Sequence, residues 1–170
     1  MPRVIRMELV GVRVEVPTNQ PIVLLRESDG ERYLPIFIGS PEATAIVHAL
    51  QELQTPRPMT HDLFKSVLEL QRLRLRRVDI TELHDGTFYA QIRFDQAGVE
   101  LAPIDSRPSD AIALAVRFGI ETVEIWADEA VVAEAGVELP ASEEGDEAAT
   151  EAQVEQFRSF LEQITPEDFA

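Results

Sequence analysis

Two segments meeting at a tight turn restrict this chain more than any other feature of its sequence. Phe88, Ala90, Ile92 and Phe94 recur at every second residue after His84-Asp85-Gly86, and Leu73 to Leu83 leads into that turn from the other side. A period of two places those four side chains on one face of a strand, and Asp-Gly is suited to the sharp reversal between antiparallel partners. An apolar sheet face has to be covered. Ala45, Ile46, Ala49, Leu50 and Leu53 recur at helical spacing elsewhere in the chain and supply the covering material. The predicted class is therefore α+β.

Further elements follow from local chemistry. Val10, Val12, Val14 and Val16 alternate with polar residues and predict a half-buried strand. Ile22 to Arg26 and Tyr33 to Ile38 flank Ser28-Asp29-Gly30 and predict a second hairpin. Ser40 is expected to cap a first helix with Pro41 at its first position, and Thr60 to cap a second. In that second helix Leu63, Phe64, Val67, Leu68 and Leu70 are expected to form the buried stripe. Arg72, Arg74 and Arg76 would share a strand face with Val78 and Ile80, which implies a late start or a bulge in that strand. Arg107-Pro108-Ser109-Asp110 opens a third helix that Gly119 ends, Thr122 to Trp126 is a late strand, and Asp128 caps a short helix stopped by Gly136.

The 170 residues are enough for one core. Residues 1–137 read as the folded domain, 138–150 as an acidic flexible linker and 151–170 as a C-terminal amphipathic helix and tail. Val154, Phe157, Phe160, Leu161 and Ile164 give that last segment an apolar stripe, whose partner is either its own domain or another subunit. Net charge is −16, and from Glu138 onward ten acids face the single base Arg158. Such a charge repels a phosphate backbone at long range, so nucleic-acid binding would have to rest on a local basic patch or a metal. The absence of cysteine excludes disulfides, zinc–thiolate sites and cysteine nucleophiles. No stretch is apolar enough to span a membrane, and a cytoplasmic protein is expected.

No serine-hydrolase elbow, zincin helix, phosphate-binding loop or dinucleotide fingerprint occurs. The chemistry-bearing residues instead gather at predicted helix starts. They are Glu42, then Arg57 and Thr60-His61-Asp62, then Arg107 with Ser109 and Asp110. A helix start favours anions, so each acid there reads either as a dipole-complementing cap or as a metal ligand. His61 and Asp62 read as an acid–base pair, as divalent-metal ligands, or as an ordinary helix start in which Asp62 complements the dipole, and Arg107 as a phosphate ligand or a structural ion-pair member. Arg74 and Arg76 read either as phosphate-tracking residues or as the charges of a protected edge strand.

Four segments carry a resemblance to a known family. Tyr33-Leu34-Pro35-Ile36-Phe37-Ile38-Gly39 with Glu42-Ala43, Arg57-Pro58-Met59-Thr60-His61-Asp62-Leu63, Gly86-Thr87-Phe88-Tyr89-Ala90 and Arg107-Pro108-Ser109-Asp110-Ala111-Ile112-Ala113-Leu114-Ala115 occur in the order seen in bifunctional nucleases (DUF151). The C-terminal Phe157 to Phe169 resembles that of actinobacterial members. The resemblance implies a mixed, largely antiparallel sheet flanked by helices, a homo-oligomer expected to be a dimer, and cleavage of DNA and RNA. Carried onto this sequence, catalytic roles fall on His61, Asp62 and Asp110, and substrate contacts on Arg57, Thr60, Arg107 and Ser109, with Arg74 and Arg76 added as phosphate contacts. Glu42, Asp62 and Asp110 would hold Mg²⁺ or Mn²⁺, and no organic cofactor is expected. The alternative is a non-catalytic oligomeric binding or regulatory module, in which the same polar groups are caps and interface ion pairs.

Overall fold

The computed structural model describes residues 3–16 and 18–138. The acidic linker and the C-terminal amphipathic helix expected from the sequence lie outside them. Nine strands form one sheet: β1 (Val4–Glu15), β2 (Gln20–Glu27), β3 (Arg32–Phe37), β4 (Leu73–His84), β5 (Thr87–Gln96), β6 (Val99–Glu100), β7 (Ile104–Ser106), β8 (Glu124–Asp128) and β9 (Val137–Glu138). Four helices accompany them: α1 (Ser40–Leu50), α2 (Thr60–Leu70), α3 (Pro108–Gly119) and α4 (Glu129–Ala135). The spatial order is β6-β5-β4-β8-β1-β2-β3-β9, with β7 also on β5. Every pairing is antiparallel except β4 with β8. The α+β class and the mixed, mostly antiparallel sheet expected from the sequence are what the chain adopts.

Both predicted hairpins form, β2 with β3 and β4 with β5. Asp85 and Gly86 take φ of 49° and 75° in the second turn, a left-handed backbone that Gly and Asp tolerate better than branched residues. Phe88, Ala90, Ile92 and Phe94 do share the core face. The parity slip in β4 has its cause in two register shifts, between Leu75 and Arg77 and between Ile80 and Glu82. The first turns Arg74 and Arg76 outward and leaves Leu75, Val78 and Ile80 buried. Arg72 precedes the strand, in a left-handed turn with φ 58°.

β1 differs from its predicted face. It begins at Val4 with Ile5, Met7 and Leu9 on the core, and a shift between Leu9 and Gly11 passes the inward phase to Val12 and Val14. The extra residue is Val10, which is therefore exposed, and Val16 lies beyond the strand. The strands β7 and β9 are too short to show a period in sequence.

α3 is sunk into the centre of the molecule. It packs on β4 and β5, and α1 and α2 pack on it. Ala111 to Ala115 are all buried, because small side chains let this helix approach several elements at once. α2 is the larger departure from expectation. Leu68 is buried at 6% exposure, but Leu63 (59%), Phe64 (44%), Val67 (48%) and Leu70 (78%) are exposed. The stripe is helical as predicted, yet the helix docks through another face, with His61 and Lys65 beside α3.

A buried carboxylate stitches the sheet on the β4–β5 side. Asp79, 6% exposed, accepts from Arg77 Nε and from Arg93 Nε, each at 2.5 Å. Arg77 also lies over the Trp126 ring, 4.9 Å from its centroid. Hydrogen bonds to charged groups contribute roughly 1.5–3 kcal/mol each, and both guanidinia retain access to water, so Asp79→Asn is expected to cost about 2 kcal/mol. A lowered urea midpoint with an unchanged slope is the expected reading.

Candidate functional site

Three helix starts converge on one cluster. α1 contributes Glu42, α2 contributes His61 and α3 contributes Asp110, each within the first turn. Arg107, the residue capping α3, links two of them: its Nη1 donates to Glu42 Oε1 at 2.9 Å and its Nε to Asp110 Oδ2 at 2.7 Å. Asp110 Oδ1 lies 2.9 Å from His61 Nε2. Arg107 Nη2 also donates to Oδ1 at 3.2 Å, so the carboxylate takes the guanidinium across both oxygens and shares Oδ1 with the imidazole. The Glu42 carboxylate lies against the N-cap residue Gly39, where an added Cβ would fall 2.2 Å from Oε2. The absence of a side chain at Gly39 leaves room for that carboxylate.

The caps are not the residues predicted. α1 and α2 are preceded by Gly39 and Met59, and Ser40 and Thr60 are the first helical residues. Neither hydroxyl caps its helix. At α2 the third helical residue, Asp62, does so in reverse: its Oδ2 accepts from the Met59 N–H at 2.9 Å. Its Oδ1 accepts from Arg117 Nε at 2.6 Å. Asp62 is therefore engaged away from the His61–Asp110 contact, because neighbouring helical residues diverge by about 100°.

Arg117 carries no sequence motif and was not anticipated. It is the most enclosed cation of the site, with a side chain 6% exposed. Its Nη1 donates to the carbonyls of Ala45 and Ala113 at 2.9 and 3.0 Å, so one guanidinium ties α1, α2 and α3 together. The available signal was its distance from Asp110, seven residues or two helical turns, which puts both on one side of α3.

The remaining candidates lie outside this cluster. Arg57 is exposed before α2, its carbonyl accepting from the Thr55 hydroxyl at 2.6 Å. Thr60 is exposed and Ser109 is buried. Arg74 is exposed on β4, and Arg76 lies 3.6 Å from Asp95. Arg76 lines a separate cleft of about 460 Å³ with Arg77, Arg93 and Glu100, which none of the cluster residues borders.

The donor set for Mg²⁺ or Mn²⁺ can be tested on these contacts. Glu42 and Asp110 share Arg107, while Asp62 is committed to Arg117. Among the described residues no group of three or more His, Asp and Glu side chains is arranged to hold a metal ion. The three carboxylates as placed do not fit a shared cation site.

The charges affect stability in a definite direction. Burial pushes the Asp110 carboxyl up, but hydrogen bonds from Arg107 and His61 outweigh it and hold it below the usual carboxylate range. At Asp62 burial likewise acts upward and is outweighed by Arg117 and the Met59 N–H. At Glu27, outside the site, the bond from Arg32 dominates and lowers it. A carboxylate with a depressed folded value stabilises the fold above its unfolded value, and that contribution is lost as pH falls through the folded one. Unfolding midpoints are thus expected to hold steady down to about pH 5 and to decline below roughly pH 4. Urea titrations between about pH 7 and about pH 2 measure this, and Arg117→Met should flatten the decline by removing the shift at Asp62.

No helix among the described residues is long and apolar enough to cross a membrane. An uncharacterized protein of Mycobacterium tuberculosis is 44% identical over 167 residues, covering 96% of each chain. Bifunctional nuclease 1 of Oryza sativa subsp. japonica is 30% identical over 118 residues, 68% of this chain and 34% of the rice protein. Bifunctional nuclease 1 of Arabidopsis thaliana is 29% identical over 103 residues, 59% of this chain and 32% of that protein. The profile of the bifunctional nuclease domain matches residues 23–140, a span that contains Glu42, His61, Arg107 and Asp110, and the chain belongs to that family.

Proposed function

We propose that this chain cleaves phosphodiester bonds of DNA and RNA at the Glu42–Arg107–Asp110–His61 cluster. The observation that carries the reading is the single carboxylate Asp110 gripping both an imidazole and a guanidinium where three helix starts meet. Helix starts present unpaired N–H groups and a partial positive charge, which favour a phosphate. Arg107 is the exposed member, 63% accessible; its Nε and Nη2 donate to Asp110, and Nη1 would exchange Glu42 for a non-bridging phosphate oxygen. With Asp110 ionised, His61 keeps its proton on Nε2 and leaves Nδ1 as the base. Nδ1 takes a proton from water, the water oxygen forms a bond to phosphorus, and the P–O bond to the departing nucleoside breaks. The imidazolium then returns the proton to the leaving oxygen. Asp62 and Arg117 act as positioning residues that fix the start of α2.

The same reading takes the chain as a homodimer in the cytoplasm, residues 1–137 as the working domain, and single-stranded or duplex nucleic acid as partner. One observation favours the alternative of a non-catalytic module: each carboxylate at the helix starts is already matched by a guanidinium, as in a purely architectural network. Purified full-length chain, incubated with labelled single-stranded and duplex DNA and RNA with and without EDTA, separates the two. Cleavage that is lost in His61→Ala supports the enzyme, and its EDTA sensitivity reads the need for Mg²⁺ or Mn²⁺. Cleavage unchanged in His61→Ala, or none on any substrate, assigns the cluster to architecture. Light scattering of the eluting peak checks the dimer.

A further inference from the structure

α2 has two faces of opposite fate. At about 100° per residue, His61, Lys65 and Leu68 cluster on one side, against α3 and the core. Leu63, Phe64, Val67 and Leu70 occupy an arc of roughly 120° on the far side, and all four are exposed. Met59, just before the helix, is exposed as well. Single exposed apolar residues are ordinary, but a contiguous stripe along about two turns marks a surface that something covers.

The occupant has to be apolar, helical in period and acidic. Arg57, Arg72 and Arg74 stand exposed at the two ends of α2, in a chain whose net charge is −16. Residues 139–170 carry nine acids against Arg158. Val154, Phe157, Phe160, Leu161 and Ile164 recur there at helical spacing, and a helix would keep Glu151, Glu155 and Glu162 together on the far face, clear of that stripe. Reach is sufficient. The described chain ends at Glu138, and the twelve residues 139–150 span up to about 40 Å when extended, comparable to the full width of a domain with a radius of gyration of about 14 Å. The alignment with the mycobacterial relative covers 96% of this chain and so includes most of this segment, whereas the rice alignment covers 68%.

We propose that residues 151–170 dock as an amphipathic helix on the exposed face of α2 in the same chain. The apolar stripes meet, and the acidic tail lies beside a segment whose two ends carry the exposed Arg57, Arg72 and Arg74. This contact is independent of whether the cluster at the helix starts is catalytic.

The chain has no cysteine, so Ser66→Cys, at an exposed position bordering the stripe, takes a single nitroxide label. Amide signals of the ¹⁵N-labelled full-length chain are compared with the label oxidised and reduced. The expected result is broadening across residues 154–164, unchanged on dilution and absent when the nitroxide sits only on unlabelled copies mixed with a ¹⁵N chain that lacks it. The double variant Phe157→Ser, Phe160→Ser should lose the tail broadening, keep the broadening within α2 and melt cooperatively. Three results would each overturn the proposal: no broadening of the tail, broadening carried between copies, which puts a second copy on the face, or tail broadening that survives the double variant.

Discussion

Asp110→Ala is expected to lower the rate of phosphodiester cleavage by about 10²–10⁴-fold, the range ascribed to a positioned acid or base. The size follows from the two jobs of this carboxylate. It fixes His61 through a 2.9 Å contact and Arg107 through a 2.7 Å one. Without it the imidazole loses its orientation and tautomer, and the guanidinium keeps Glu42 as its only carboxylate partner among the contacts described. Asp110→Asn separates these effects, because an amide preserves the shape while removing the charge that both partners need. Initial rates on a labelled single-stranded substrate measure both variants, with Arg76→Ala as a comparison in the separate cleft. A full rate in Asp110→Ala would place the chemistry elsewhere.

Arg117→Met should give the largest loss of stability, about 3 kcal/mol. Methionine replaces most of the buried stem, so the cost lies in the head group. That head group donates to Asp62, to Ala45 O and to Ala113 O while only 6% exposed. Breaking a buried ion pair typically costs about 3–5 kcal/mol, and the lower end applies because Asp62 is 40% exposed and water can rehydrate it. For a chain of this size each kcal/mol lowers the melting midpoint by about 2–4 °C, so a fall of roughly 6–12 °C is expected by calorimetry. Activity should fall as well, because Asp62 and Arg117 set the start of the helix that carries His61. Unlike the Asp110 variants, however, Arg117→Met should lower the unfolding midpoint to this extent.

The local order of this chain was legible because it is written in neighbouring residues. The alternation of Phe88 to Phe94 and the Asp-Gly turn state a hairpin within a dozen positions. Pro41, Thr60 and Pro108 mark three helix starts to within a residue. Asp128 does cap α4, accepting from the Ala130 N–H. Glu42, His61, Arg107 and Asp110 were legible as chemistry-bearing residues because each stands in the first turn of a helix or at its cap, where polar groups have a backbone to answer. Legibility failed where phase mattered. Val10 sits on the apolar parity of β1, yet a one-residue shift turns it out. Leu63, Phe64, Val67 and Leu70 form a sound amphipathic stripe, but the packed side of α2 is the one bearing His61 and Leu68.

Sequence alone determined the period of each element, the places where helices begin and the identity of the ionisable groups waiting there, since all three depend on contacts within a few residues. Tertiary structure alone decided which of those groups meet. The contacts of Arg107 with Glu42, His61 with Asp110 and Arg117 with Asp62 close separations of 65, 49 and 55 residues. Partners at that distance are chosen by how α1, α2 and α3 pack over the sheet, and periodicity fixes a helix's apolar arc without fixing which neighbour receives it.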